Sequence, residues 1–344
     1  MRASRSSPIG DTLDLCSKVI DAESFKDISG SLCGLIKRGT GSNTRVGTGR
    51  FVSSVARRLG SDISPVAYTL MKALQEASYN ENSRSVQRSY ASAYAGLAKY
   101  ASKAKVDAAV DSWLQAFKNE DADDQGSIVS GTILRAIAIE SPDLFLRYAN
   151  EVAPIAYLAS QDCNESVSVI WKDVWDESTT AVGSGIRYHV SEIINIVLKL
   201  LKSGQWAKKE IAGQAIIQIS DVAGDLLGPH LVIVIKSLLD ELPGRLWEGK
   251  EIILRALGKV VECTSEENFD SMEVSMKEDL VNSLVTAASK AKRSYMKEGV
   301  QQLGTGNAFG SIILKLKIFH HIISFISNIT FNCSCQSMEY GPLS

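Results

Sequence analysis

The chain has 344 residues, is 45% hydrophobic and 22% charged, and carries a formal net charge of −2. That composition excludes a disordered or low-complexity chain. It also lacks the strong basic excess that marks a nucleic-acid-binding domain.

The opening, Met1 to Ser7, is basic with no apolar run behind it, and Asp11 and Asp14 follow at once. It reads as neither a secretory signal nor a transit peptide. Gly39 to Arg50 is glycine-rich and reads as a flexible loop running into a helix. It fails as a phosphate loop, because Val52 stands where a third glycine is needed and no Gly-x-x-x-x-Gly-Lys-Ser/Thr follows.

From there amphipathic helices alternate. Phe51, Val52, Val55, Ala56 and Leu59 fall on one face of a first A-type helix, and Val66, Leu70, Met71 and Leu74 on one face of its B-type partner. Val86, Tyr90, Ala93, Tyr94, Leu97 and Ala98 form the next A stripe, and Val106, Ala109, Val110, Trp113, Leu114 and Phe117 the next B stripe. Asn119 to Gln125 is a polar connection. An A segment centred on Leu134 follows; Ser64-Pro65 before it and Ser141-Pro142 after it each suggest a capping hydroxyl ahead of a proline at the first helical position. Pro154 lies inside a helical pattern and is expected to kink or split it. Trp171 and Trp175 share a face of another A helix, and Ile193 to Leu201 is apolar on nearly every side. Ile211, Ala212, Ala215, Ile216 and Ile219 give an A stripe. Gly228-Pro229 then opens a B helix over Leu231 to Leu242, which Pro243-Gly244 closes. Ile252, Ile253, Ala256, Leu257, Val260 and Val261 complete the series.

Lined up on Val55, Ala93, Leu134, Trp171, Ala215 and Ala256, the A segments recur at steps of 38, 41, 37, 44 and 41 residues. No alternating apolar run reads as a strand. The expectation is an all-α, HEAT-type α-solenoid of about seven helix pairs over residues 1–298, since that period with two helices per unit is the HEAT size. Residues 299–344 are expected to form an atypical tail outside the array. The apolar run there carries Lys315, Lys317, His320 and His321 and is too interrupted for a membrane span.

No catalytic constellation is expected. His-Glu-x-x-His and Gly-x-Ser-x-Gly are absent. His189 and His230 read as capping or surface groups. His320-His321 with Cys333 and Cys335 matches no standard zinc spacing, so neither metal nor cofactor is expected. Cys16, Cys33, Cys163 and Cys263 read as small hydrophobes on apolar helical faces, without a disulfide framework. Arg57-Arg58, Lys208-Lys209, Lys290 to Arg293, Glu266-Glu267 and Asp121 to Asp124 read as solvated groups. Trp206 and Trp247 each precede a lysine-bearing helix start, and their recurrence suggests a structural staple. No partner-binding residue stands out.

The loops carry a resemblance. Leu242 to Leu257 (Leu-Pro-Gly-Arg-Leu-Trp-Glu-Gly-Lys-Glu-Ile-Ile-Leu-Arg-Ala-Leu), Asn43 to Gly47, Ser141 to Leu144, and Trp171 to Trp175 with Gly185 to Arg187 are similar to segments of the HEAT-repeat proteasome adaptor and scaffold family. The resemblance covers roughly residues 1–293. It implies one internal or C-terminal section of a longer solenoid, truncated by an unrelated tail from about Gly304. It further implies a non-enzymatic scaffold that binds core and regulatory particles of the 26S proteasome and other proteins. Assembly quality control and localisation in cytoplasm and nucleus, with a peripheral place at endomembranes, follow as expectations; nucleic acid and stable membrane insertion do not. The alternative is a HEAT scaffold of another type, nuclear-transport-receptor-like or phosphatase-scaffold-like.

Overall fold

The computed structural model describes residues 8–118, 123–179, 185–243 and 245–288. They form seventeen α-helices and no strand. The chain divides into two compact units, Met1–His189 and Val190–Ser344.

In the first unit the helices are α1 (Pro8–Val19), α2 (Ala22–Arg38), α3 (Ser42–Leu59), α4 (Ser64–Tyr79), α5 (Arg84–Ala98) and α6 (Lys103–Lys118). They are followed by α7 (Asp124–Glu140), the short α8 (Pro142–Phe145), α9 (Ala149–Ala159), α10 (Glu165–Thr179) and the short α11 (Gly185–Tyr188). α1, α3, α5, α7 and α10 stack in that order as an A layer. On the B side α2 packs on α4, and α6 on α9. The second unit holds α12 (Val190–Leu201), α13 (Trp206–Ala223), α14 (Leu231–Glu241), α15 (Glu251–Cys263), the short α16 (Glu266–Asp270) and α17 (Val274–Ala288). There α13 stacks on α15, while α14 contacts both α12 and α17. The chain turns by 119° between residues 206–226 and 228–241, between α13 and α14. A and B helices thus alternate as seven pairs along the sequence, the HEAT arrangement expected from its period.

The six aligned positions, Val55, Ala93, Leu134, Trp171, Ala215 and Ala256, are all buried to 1% exposure or less. Each lies in an A helix, so the 40-residue repeat of the sequence is the repeat of the layer. Contacts between successive units keep the same step. Gly49 of α3 meets Ser89 of α5, and Ala56 meets Gly96, both 40 residues apart; the two helices therefore run parallel and in register. Asn164 donates to the Asp124 carboxylate at 2.7 Å, 40 residues away, and Tyr148 to the Asp107 carboxylate at 2.6 Å, 41 away.

Several local expectations are corrected. The glycine-rich stretch is helical from Ser42 onward, so Gly47 and Gly49 sit inside α3. Ser64 and Ser141 do not cap. α4 starts at Ser64 itself, and the Ser141 hydroxyl donates to the Ala95 carbonyl at 3.3 Å instead. Pro154 does not split its helix. α9 runs through it, and the break falls upstream at residues 146–148. Pro154 is the sixth residue of α9, so the helix gives up one intrahelical bond there and still continues. The four cysteines, Cys16, Cys33, Cys163 and Cys263, are free thiols and none is buried; Cys16 and Cys163 are exposed. The boundary at 298 and the tail, with Lys290 to Arg293, His320, His321, Cys333 and Cys335, lie outside the described residues.

Side chains from one layer close gaps in the other. The buried Tyr90 hydroxyl of α5 donates to the Ile36 carbonyl of α2 at 2.9 Å. Burial pushes its pKa up to about 12, and raises those of Tyr94 and Tyr157 as well. A phenol raised in the folded state contributes stability that is complete below its ordinary value of ~10 and is lost as pH rises through the folded value. Alkaline titration followed by phenolate absorbance is expected to show a buried class that ionises well above the ordinary value, Tyr90 near pH 12, together with loss of helix. Ionisation of every tyrosine near pH 10 with the helices intact would contradict this packing.

Candidate partner-binding surface

The outer side of the A layer in the first unit is formed by whatever α3, α5, α7 and α10 do not bury. α3 carries Arg45, Arg50, Arg57 and Arg58 and no carboxylate; α5 carries Arg84 and Arg88 and no carboxylate. Arg50, Arg57, Arg84 and Arg88 are exposed. Arg45 turns back to pair with the buried Glu81, and the Arg58 Nε donates to the Ser17 carbonyl at 2.7 Å.

α7 meets α10 through small residues, Ser127 and Gly131. Gly131 is needed there: a Cβ would lie 2.8 Å from Ile170 and 3.1 Å from the Trp171 ring nitrogen. Arg84 reaches past α7 to donate to the Ser166 hydroxyl of α10 at 2.9 Å. Arg135 of α7 pairs with Asp173 of α10 at 3.0 Å. Together Arg84, Gln87, Arg88, Thr132, Arg135, Val169, Ile170 and Asp173 line a shallow cleft of about 50 Å³.

The tryptophans divide. Trp171 is buried and donates to both oxygens of Ser127 at 3.0 Å, so it belongs to the core. Trp175 packs on Tyr157 with ring centres 5.2 Å apart. Trp206 and Trp247 stack nearly parallel, 6.4 Å apart, linking equivalent positions of successive units, although Trp206 stays 52% exposed. His189 is buried against the rings of Tyr188 and Trp175, which corrects its assignment as a capping or surface group. His230 faces the Ser191 hydroxyl at 3.2 Å. The pair Lys208-Lys209 is not a solvated face, since Lys208 is buried and Lys209 pairs with Glu241. Lys250, also buried, donates to the Pro243 and Arg245 carbonyls at 3.0 and 3.4 Å and ties down the loop before α15.

Residues 1–117 match the family model of the HEAT-repeat domain of the proteasome adapter and scaffold protein ECM29. The human proteasome adapter and scaffold protein ECM29 is 29% identical over 281 residues, which is 78% of this chain and 15% of that protein. Along most of its length the chain is thus similar to ECM29. The fly ECM29 homolog, named as proteasome-associated, is 26% identical over 260 residues, 73% of this chain and 13% of its own. The chain spans about one seventh of the length of the curated relatives it matches. Among solved structures, Kap121p bound to Ste12p overlays 95% of the chain and 39% of its own length at 11% identity, with a TM-score of 0.44.

No helix among the described residues is by itself long and apolar enough to cross a membrane. No group of three or more metal-binding side chains occurs among them either. Charged residues far apart in sequence are what the sequence reading missed. Arg84, Arg88 and Arg135 share a cleft only once the helices are registered, and no spacing in the text announces it.

Proposed function

We propose that the chain is a non-enzymatic scaffold section that associates with the 26S proteasome. In this reading it helps join the core and regulatory particles and supports assembly quality control. It acts in the cytoplasm and nucleus and at the periphery of endomembranes. The observation that carries the proposal is the agreement of a 40-residue helical repeat with relatives named as a proteasome adapter and scaffold and as proteasome-associated, along most of the chain. A stacked array has no central cavity for chemistry and offers long surfaces to macromolecules.

The thiols support a non-catalytic role. Partial burial raises the pKa of the half-buried Cys33 and Cys263, opposite to the depression a nucleophilic cysteine needs. His230 beside Ser191 has no carboxylate partner among the described residues, so the third member of a catalytic triad is not supplied there. The test is affinity capture of the tagged chain from cell lysate with quantitative mass spectrometry. Co-enrichment of core and regulatory proteasome subunits is expected. Capture of chaperones without either set of subunits would count against the proposal.

A further inference from the structure

We propose that the arginine-rimmed cleft over α7 docks an acidic, partly apolar peptide segment of a protein partner. The inference goes beyond the adaptor reading and holds whichever assembly carries that segment.

The charge is segregated rather than general. The whole chain is slightly acidic at −2, yet α3 and α5 together hold six arginines and no carboxylate. Arg84 and Arg88 lie one turn apart on α5, where like charges repel. Arg84 is held by Ser166 and Arg135 by Asp173, but Arg88 makes no hydrogen bond or ion pair among the described residues. A guanidinium presents a planar fork of donors that matches a carboxylate at two points. A carboxylate placed at Arg88 would satisfy that fork and relieve its repulsion with Arg84.

Size and surroundings choose the ligand. The cleft is shallow, about 50 Å³, and suits a small planar group such as a carboxylate. Val169, 48% exposed, and Ile170 give it an apolar wall, which suits an aliphatic residue next to the acid. Asp173, Asp176 and Glu177 on α10 end the basic row on that side and would repel a continuing phosphate backbone. On the other side Arg57 and Arg50 extend the row across α3, whose Gly49 touches Ser89 beside Arg88. A short acidic run directed from the cleft toward α3 fits this pattern; a tracked nucleic acid does not.

The test is fluorescence anisotropy with the full chain and a short labelled peptide alternating Glu and Leu. Saturable binding is expected, weakening as salt rises. Arg88→Glu should weaken it about tenfold or more, since it replaces an attraction by a repulsion. Arg57→Glu should weaken it less, and Lys236→Glu on α14 should leave it unchanged. Circular dichroism on each variant confirms that helix is retained, as these side chains are exposed. Equal binding of a Gln-Leu peptide, no loss in Arg88→Glu, or tighter binding of single-stranded oligouridine would each overturn the proposal.

Discussion

Replacing Trp171 by alanine is expected to cost the first unit about 4 kcal/mol, the usual range for deleting a fully buried indole. The side chain is 1% exposed and lies flush against α7 where Gly131 leaves room for it. Its ring nitrogen donates to both the carbonyl and the hydroxyl oxygen of Ser127 at 3.0 Å. Truncation would therefore open a cavity in the A layer and strip a donor from two acceptors. Trp171→Phe separates the terms: it keeps most of the volume and should lose only about 1 kcal/mol for the bond. Denaturant unfolding followed by circular dichroism reads both. A loss under about 1 kcal/mol for the alanine variant would mean that α7 and α10 do not meet as described.

The second large effect concerns the α3–α5 contact. Gly49→Val is expected to destabilise by about 3 kcal/mol. A Cβ at Gly49 would lie 2.5 Å from the Ser89 hydroxyl and 3.0 Å from the Ser89 carbonyl oxygen. The hydroxyl can rotate away, at the expense of its 2.9 Å bond to the Val46 carbonyl, but the backbone oxygen cannot. The two helices would have to separate along their registered length. Gly30 supplies a control of opposite sign. It is exposed within α2, and nothing lies within 4 Å of its added Cβ. Gly30→Ala should stabilise by about 0.5–1 kcal/mol through helix propensity. Thermal unfolding of the two variants should shift in opposite directions. Destabilisation by both, to a similar extent, would show that glycine is retained for a reason other than close packing.

These two glycines also show how far the sequence could be read. The stripes at Val55, Ala93 and Ala256 were legible because a buried helical face repeats with the helical period whatever its neighbours are. Gly47 and Gly49 were not, since intrinsic propensity favours a loop and only packing, of Gly47 against Leu13 and of Gly49 against Ser89, overrides it. His189 read as a surface group because nothing local reveals the rings of Trp175 and Tyr188 that enclose it. The cysteines show the reverse error: Cys16 falls on an apolar pattern in the text, yet its side of α1 is uncovered. Ser141 fitted the statistics of a cap, but the Ala95 carbonyl, 46 residues away, claims its hydroxyl. The arginine cleft depends on three helices at once, so no local pattern contains it. Local periodicity fixed the layers; the partners of individual polar groups depended on register between repeats.

The most direct measurement of the central claim is co-sedimentation of the purified chain with purified 26S proteasome, and with its core and regulatory particles separately. The adaptor account predicts that the chain travels with the assembled particle, and that Trp171→Ala, by loosening the array, reduces the bound fraction. A chain with its helical content intact that stays at the top of the gradient in all three mixtures would contradict it.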